Sequence, residues 1–90
     1  VLIAPHNPNG PRSTLASSHV CAAIPNFFRQ EFMFNDAPWR DTVIDHPIAD
    51  MVYDGHLHLS DRPGLGVDLV EEEMEKHPGI TSIPPENFYI

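Results

Sequence analysis

The sequence predicts an α/β fold in which two parallel strands flank a helix. Val1 to Ala4 is an apolar run with two β-branched residues, which is typical of a parallel strand buried on both faces. Arg12 to Ile24 has helical periodicity, and Phe27 to Phe32 has the aromatic content of a second strand ending near Glu31. The order strand, helix, strand predicts a βαβ unit with a right-handed crossover.

The loop between the first strand and the helix is dense in turn residues. It reads Pro5-His6-Asn7-Pro8-Asn9-Gly10-Pro11. Proline fixes the backbone and removes a donor, so this loop has a defined path. Pro11 suits the first turn of the helix, in which Leu15, His19 and Ala22 share one stripe. Polar and titratable residues follow both predicted strands, on the side where α/β folds form their sites.

The rest of the chain predicts shorter elements. Asn35 to Pro47 reads as a loop with a short helical turn. Asp54-Gly55 between the alternating segments 51–53 and 56–59 predicts a β-hairpin. Asp68 is expected to cap an acidic helix that runs through about His77, with Glu71 completing a capping box. The glutamates of that helix are expected to form a solvated face.

Composition argues against several classes of function. The formal net charge is −8, from 5 basic against 13 acidic residues, which disfavours nucleic acid and anionic membranes as partners. The single cysteine, Cys21, excludes an internal disulfide and fits a cytoplasmic location. No run approaches the roughly 20 apolar residues of a membrane span.

The loop that contains His6 resembles a segment of a known family. The string from Ala4 to Pro11 is similar to the loop after the seventh barrel strand of galactonate-dehydratase-like proteins, in the mandelate racemase/muconate lactonizing enzyme group of the enolase superfamily. Further similar strings follow in the same order: Ala23-Ile24-Pro25-Asn26-Phe27, Gln30-Glu31, Asp54-Gly55-His56-Leu57 and Pro63-Gly64-Leu65-Gly66-Val67. The resemblance spans about residues 1 to 75.

This resemblance implies the C-terminal end of a modified TIM-type (β/α)-barrel. The chain is expected to supply the last two strands with a helix between them, followed by a hairpin and a return segment. Residues 1–50 are then the closing strands and helices, 51–80 the hairpin and return segment packing toward a capping domain, and 81–90 a tail. Because such a barrel takes about 250 residues, and because the chain opens directly in a strand-like run, it is expected to be cut from a longer enzyme.

The same resemblance implies a Mg²⁺-dependent sugar-acid dehydratase. Such an enzyme abstracts the proton α to a carboxylate and expels a β-hydroxyl. His6 would be the general base, and Glu31, if protonated, would donate a hydrogen bond to the enediolate. The metal-binding carboxylates and an Asp partner of His6 are expected upstream, outside these 90 residues. The full-length protein is expected to be a homo-oligomer acting on a small sugar acid.

Other residues carry open alternatives. Asn7 either contacts substrate or shapes the loop, and Trp39 either covers a ligand or packs. His56 and His58 lie on one face of a strand, but no third metal ligand stands at a suitable spacing. Cys21 is expected to be a buried, inert thiol.

Two alternative functions remain open at this point. A racemase or epimerase of the same superfamily would return the proton to the enediolate instead of losing hydroxide. A non-catalytic truncated fragment or interaction module would use its exposed strand edges to associate. For the 90 residues alone, the sequence leaves enzymatic activity uncertain, whereas the full-length parent is expected to be a carbon–oxygen lyase.

Overall fold

The structure is a computed structural model that describes residues 1–33 and 37–79. The described residues form one 13-residue helix and several shorter elements. The elements are helix α1 (Pro11–Ala23), two 3₁₀ helices (Arg40–Val43 and Ile48–Met51), strands β1 (Val52–Tyr53) and β2 (His56–Leu57), and helix α2 (Glu71–Glu75). The predicted tail, 81–90, and Ile80 of the return segment lie outside the described residues.

The two predicted N-terminal strands do pair in parallel, but through one isolated bridge between Ile3 and Phe27. The Ile3 N–H donates to the Asn26 carbonyl at 2.8 Å, and the Phe28 N–H donates to the Ile3 carbonyl at 2.9 Å. The expectation of a first strand buried on both faces is wrong for the described chain, because Val1, Leu2 and Ile3 are exposed. Among the described residues this pair has no further strand beside it, so no extended ladder forms.

Helix α1 begins and ends one residue earlier than predicted. Pro11 occupies its first turn, where the missing N–H costs nothing. The helix ends at Ala23, and Ile24 takes an extended conformation before Pro25, as the residue before a proline favours.

The predicted apolar stripe of α1 is wrong in detail. Ala22 is exposed and His19 only half-buried, whereas the buried residues are Pro11, Thr14, Leu15, Ser18 and Cys21. The alanines contribute little apolar area, so they do not decide the buried face. Thr14 and Ser18 turn inward because their hydroxyls find hydrogen-bond partners there, which offsets the cost of burying them.

The hairpin prediction is confirmed. Strands β1 and β2 are antiparallel, with Val52 opposite Leu57 and Tyr53 opposite His56. Asp54 and Gly55 have φ angles of 54° and 72°. A two-residue turn with both angles positive suits the twist of a hairpin.

The apolar core joins α1 to the second half of the chain. Its buried members are Leu15 of α1, Ile44 and Ile48. Partly buried side chains from the segment after Glu31, the first 3₁₀ helix, the hairpin and the return segment pack around them: Phe32, Val43, Met51, Val52, Leu57, Leu59, Leu65 and Val67. The core therefore fixes α1, and the loop before it, against the hairpin.

The predicted capping box at α2 is wrong. The helix begins at Glu71 after Val70, with no side-chain cap. The Asp68 N–H donates to Asp45 Oδ1 at 2.9 Å, and the Asp45 N–H donates to the Asp68 carbonyl at 3.0 Å. Asp68 thus belongs to an extended pairing that includes the antiparallel bridge between Ile44 and Leu69, and this tertiary pairing overrides the local capping pattern.

The glutamates of α2 form a solvated face, as predicted, since the helix has no buried residue. Glu73 pairs with Lys76, whose Nζ lies 2.6 Å from Glu73 Oε1. The predicted helical turn in the middle of the chain is the 3₁₀ helix Arg40–Val43.

Candidate functional site

The site forms where the two parallel segments end. Beyond the Ile3–Phe27 bridge, the Glu31 N–H donates to the Pro5 carbonyl at 3.3 Å. This hydrogen bond holds Glu31, at the end of the second segment, against Pro5, just after the end of the first. It places the side chains of His6 and Glu31 at a common edge, which is where parallel strands of α/β folds gather their functional groups.

The two side chains that the sequence singled out are in contact. His6 Nδ1 lies 2.6 Å from Glu31 Oε2, and the side chains are 80% and 39% exposed, respectively. Because a carboxylate oxygen accepts, Nδ1 carries the hydrogen in this arrangement. The other ring nitrogen, Nε2, then presents a lone pair in the neutral imidazole. An exposed imidazole held in this tautomer is suited to taking up a proton from a ligand.

Glu31 also accepts a hydrogen bond from the backbone. The Asn7 N–H donates to the same oxygen, Oε2, at 2.5 Å. A backbone amide only donates, so Oε2 acts as an acceptor here. If Glu31 carries the proton that the family resemblance implies, that proton belongs on Oε1.

The Asn7 side chain is fully buried and bonded within the chain. Ser13 Oγ donates to Asn7 Oδ1 at 2.9 Å, and Asn7 Nδ2 donates to Thr14 Oγ1 at 2.9 Å. A longer contact, 3.5 Å, joins Nδ2 to the Glu31 carbonyl. These contacts favour the alternative in which Asn7 shapes the loop, because they fix the loop that presents His6.

Trp39 packs against the C-terminal part of the described chain. Its indole stacks on the His77 ring, with centroids 4.0 Å apart and planes 8° from parallel. This contact joins the residue before the first 3₁₀ helix to the segment after α2, as the packing alternative expects. A further contact of Trp39 with substrate stays a prediction.

Sequence reasoning missed Arg40. Its guanidinium group is buried and donates to the carbonyl oxygens of Asn9 and Met33. Asn9 lies in the loop of His6, and Met33 lies shortly after Glu31. Arginine in a loop carries no spacing signal, so only the tertiary structure reveals this role.

The remaining candidates of the sequence are not part of this site. The His56 and His58 rings have centroids 6.3 Å apart. His56 Nδ1 lies 2.6 Å from the Asp54 carbonyl, and His58 Nε2 lies 3.2 Å from the Tyr53 carbonyl. Cys21 is buried and free, as predicted, and burial raises the pKa of its thiol.

A magnesium centre does not fit the described residues. Within 1–33 and 37–79 no three His, Cys, Asp or Glu side chains are grouped so as to hold a metal ion. Mg²⁺ prefers an octahedron of oxygen ligands, whereas His6 and Glu31 offer one imidazole and one carboxylate. The chemistry that these two side chains support is therefore proton transfer and hydrogen bonding.

Within residues 1–33 and 37–79, no helix is long and apolar enough to cross a membrane.

The chain is an α/β segment that brings a histidine and a glutamate together where two neighbouring parallel segments end. Comparison with known proteins identifies the family. Residues 1–73 match the family described as Enolase C-terminal domain-like, so the chain belongs to the enolase superfamily. The resemblance drawn from the sequence is thereby confirmed.

Relatives of known name and structure agree with this assignment. The chain is 33% identical over 75 residues to the D-xylonate dehydratase of Haloferax volcanii, covering 83% of this chain. It is 41% identical over 80 residues to a D-galactonate dehydratase family member of Streptomyces bingchenggensis, covering 87% of this chain. A crystal structure of a mandelate racemase/muconate lactonizing enzyme-like protein from Rubrobacter xylanophilus superposes with a TM-score of 0.79 and 36% identity over 93% of this chain.

The match covers a small share of each of these proteins. The chain spans 18% of the Haloferax protein, 19% of the Streptomyces protein and 21% of the Rubrobacter structure. The described residues therefore correspond to a part of an α/β-barrel domain.

Proposed function

We propose that the protein is the C-terminal part of a Mg²⁺-dependent acid-sugar dehydratase that acts on an aldonate or aldarate. The reaction removes the proton α to the carboxylate to form an enediolate. The C–O bond at the β-carbon then breaks, and the hydroxide leaves as water after taking up a proton. The resulting enol tautomerises to a 2-keto-3-deoxy acid. The observation that carries this proposal is the contact between His6 Nδ1 and Glu31 Oε2 at 2.6 Å.

His6 is assigned as the general base, and its Nε2 takes up the α-proton. Support comes from the Nδ1 contact with Glu31, which leaves Nε2 with a lone pair in the neutral ring. The exposure of the imidazole gives a substrate access to it. The orienting Asp that the resemblance implies, from chain upstream of Val1, would share the Nδ1 hydrogen with Glu31, because Nε2 is the nitrogen that takes up the proton.

Glu31 is assigned to the stabilisation of the enediolate. An ionised Glu31 would repel the negative charge that develops on the substrate carboxylate. The assignment therefore applies to the protonated form of Glu31, which donates a hydrogen bond from Oε1. This hydrogen bond strengthens as negative charge accumulates on the substrate carboxylate. Support comes from the position of Glu31 beside His6, whose Nδ1 lies 2.6 Å from Glu31 Oε2.

Two further residues complete the proposed site. Asn7 acts through its backbone N–H, which bonds the loop of His6 to Glu31, and through its buried amide, which bonds the loop to Thr14 of α1. Substrate contact by the Asn7 amide would require it to leave Ser13 and Thr14, so we assign the residue to loop shape. Trp39 remains the candidate for covering a ligand, through the part of the indole not stacked on His77.

The wider architecture is proposed from the membership of residues 1–73 in the family. Residues 1–50 supply the last two barrel strands with their helix, and residues 51–80 the hairpin and return segment that face a capping domain. The full-length enzyme is proposed to be a cytoplasmic homo-oligomer. Its Mg²⁺, bound by carboxylates upstream, would neutralise charge on the substrate carboxylate.

The proposal is tested by assaying the full-length gene product that contains this chain. The product is incubated with Mg²⁺ and a panel of aldonic and aldaric acids, including D-xylonate and D-galactonate, and the products are identified by NMR. A 2-keto-3-deoxy acid is the expected product. An epimer of the substrate instead would identify a racemase or epimerase. A gene product of about 10 kDa in its source, without turnover of any substrate, would favour the non-catalytic fragment.

A further inference from the structure

Arg40 joins the two segments that carry His6 and Glu31. Its side chain is buried, although arginine is usually exposed. One guanidinium nitrogen, Nη2, donates to the Asn9 carbonyl at 2.6 Å, and the other, Nη1, donates to the Met33 carbonyl. Asn9 follows His6 in its loop, and Met33 follows Glu31.

The same guanidinium reaches the hydrogen bonds that fix Asn7. Arg40 Nη2 lies 3.4 Å from Thr14 Oγ1, which accepts a hydrogen bond from Asn7 Nδ2 at 2.9 Å. The Asn7 N–H in turn donates to Glu31 Oε2. A continuous series of contacts therefore leads from Arg40, through Thr14 and Asn7, to the carboxylate that touches His6.

The chemistry of arginine suits this position. Its planar fork donates in several fixed directions and keeps its charge, whereas lysine offers a single flexible ammonium group. The Arg40 guanidinium also lies over the Phe32 ring, 5.4 Å from its centroid. A lysine cannot donate to the carbonyls of both Asn9 and Met33 from one fixed plane. One of the two carbonyls would therefore lose its hydrogen bond to residue 40.

We propose that Arg40 is a positioning residue that sets the separation of His6 and Glu31 by clamping the loop of the one to the segment of the other. Substrate contact by Arg40 is not part of the proposal. The effect on turnover rests on the proposed function of the His6–Glu31 pair, whereas the effect on the geometry of the pair does not.

The clamp is tested with Arg40→Lys in the full-length gene product. The matched control is Arg62→Lys, because Arg62 also bonds a backbone carbonyl, with Nε 2.5 Å from the Gly66 oxygen, but lies in the return segment. Amide hydrogen exchange is followed at Asn7 and Glu31, whose N–H groups bond across the two segments. The amide of His58, bonded to the Met51 carbonyl at 2.8 Å in the hairpin, reports general destabilisation.

The expected result is local. In Arg40→Lys the Asn7 and Glu31 amides exchange roughly tenfold faster or more, as expected for the loss of one hydrogen bond's support. The His58 amide keeps its native rate. The kcat for the panel substrate with the highest native turnover falls about 100-fold with little change in KM, because a displaced pair affects the chemical step more than binding. Arg62→Lys changes none of these quantities.

A second substitution keeps the clamp falsifiable if Arg40→Lys does not fold. Thr14→Val removes, at nearly constant volume, the hydroxyl that Asn7 and Arg40 share. Thr42→Val serves as its control because, among the described residues, the Thr42 hydroxyl bonds locally, to the Trp39 carbonyl at 2.7 Å. Faster exchange at Asn7 in Thr14→Val but not in Thr42→Val supports the series of contacts.

The outcomes separate the two proposals. Native exchange at Asn7 and Glu31 in Arg40→Lys overturns the clamp, whatever the activity. Equal acceleration of Asn7, Glu31 and His58 also overturns it, because Arg40 would then support the whole fold and not the pair. Local acceleration in a protein that turns over no sugar acid supports the clamp and sets aside the proposed function alone.

Discussion

The two halves of the chain bury different mixtures of residues. Residues 1–33 bury the polar side chains of Asn7, Thr14 and Ser18 together with Leu15, and leave Val1, Leu2 and Phe28 exposed. Residues 37–79 bury the apolar side chains of Ile44 and Ile48, and Arg40 is the charged residue that they bury. The first half is thus organised by hydrogen bonds around a site, whereas the second half supplies the apolar core on which α1 rests.

The difference explains how one chain holds both the His6–Glu31 contact and an apolar support for it. Polar contacts have strict geometry, so they fix the positions of His6 and Glu31. Apolar packing has little directional preference but supplies most of the stability. Substitutions in the first half, and at Arg40 which bonds to it, are therefore expected to affect activity most, and substitutions in the apolar core of the second half to affect stability most.

The largest effect is expected from Glu31→Ala in the full-length enzyme. Loss of the proposed donor to the enediolate lowers kcat about 100- to 1,000-fold, measured as formation of the 2-keto-3-deoxy acid. Glu72→Ala, on the exposed face of α2, is the control and keeps the native rate. A Glu31→Ala enzyme within a factor of two of native would break the assignment of the site to the first half.

The next effect is expected from Ile48→Ala, in the core of the second half. Ile48 is 0% exposed, so its truncation lowers the free energy of unfolding by about 2–5 kcal/mol. Leu2→Ala in the same 90-residue chain changes it by less than about 0.5 kcal/mol, because Leu2 is exposed. Both are measured by urea denaturation.

Repeating Leu2→Ala in the full-length gene product sharpens the comparison. If the rest of a barrel covers the first strand, the cost of this substitution rises to that of a buried leucine. A cost that stays near zero there would contradict the assignment of Val1 to Ala4 to an interior barrel strand.

The smallest effect is expected at the surface of α2. The hydrogen bond from Lys76 and the charge of this residue hold the pKa of Glu73 below its ordinary value. A depressed folded-state pKa contributes stability above the unfolded pKa, and that contribution is lost as the pH falls through the folded value. Lys76→Met therefore raises the pKa of Glu73, measured by NMR titration, with little change in stability because the pair is exposed.

Local patterns predicted those parts of the molecule that depend on local chemistry. The Asp54-Gly55 turn requires positive φ angles, and Pro11 starts a helix, so both can be read from neighbouring residues. The parallel pairing of Ile3 with Phe27 follows from the order of elements. The contact of His6 with Glu31 agrees with their places after the two segments.

The remaining features depend on residues distant in sequence. Asp68 has the pattern of a helix cap, but its backbone pairs with Asp45 instead. The inward turn of Thr14 and the burial of Arg40 depend on hydrogen-bond partners supplied by other segments. A polar residue carries no sequence signal of burial when its partner lies in another element, so these contacts required the structure.

The central claim, that His6 takes the proton α to a carboxylate, is tested most directly by following that proton. The full-length enzyme is given its substrate with deuterium at the α-carbon, and the label is followed by NMR and mass spectrometry. The account predicts that the native enzyme removes the deuterium from the α-carbon as the 2-keto-3-deoxy acid forms, whereas His6→Asn leaves the substrate intact and still labelled. A His46→Asn control, at an exposed histidine beside Asp45, removes the label like the native enzyme. Removal of the label by His6→Asn at the native rate would contradict the account.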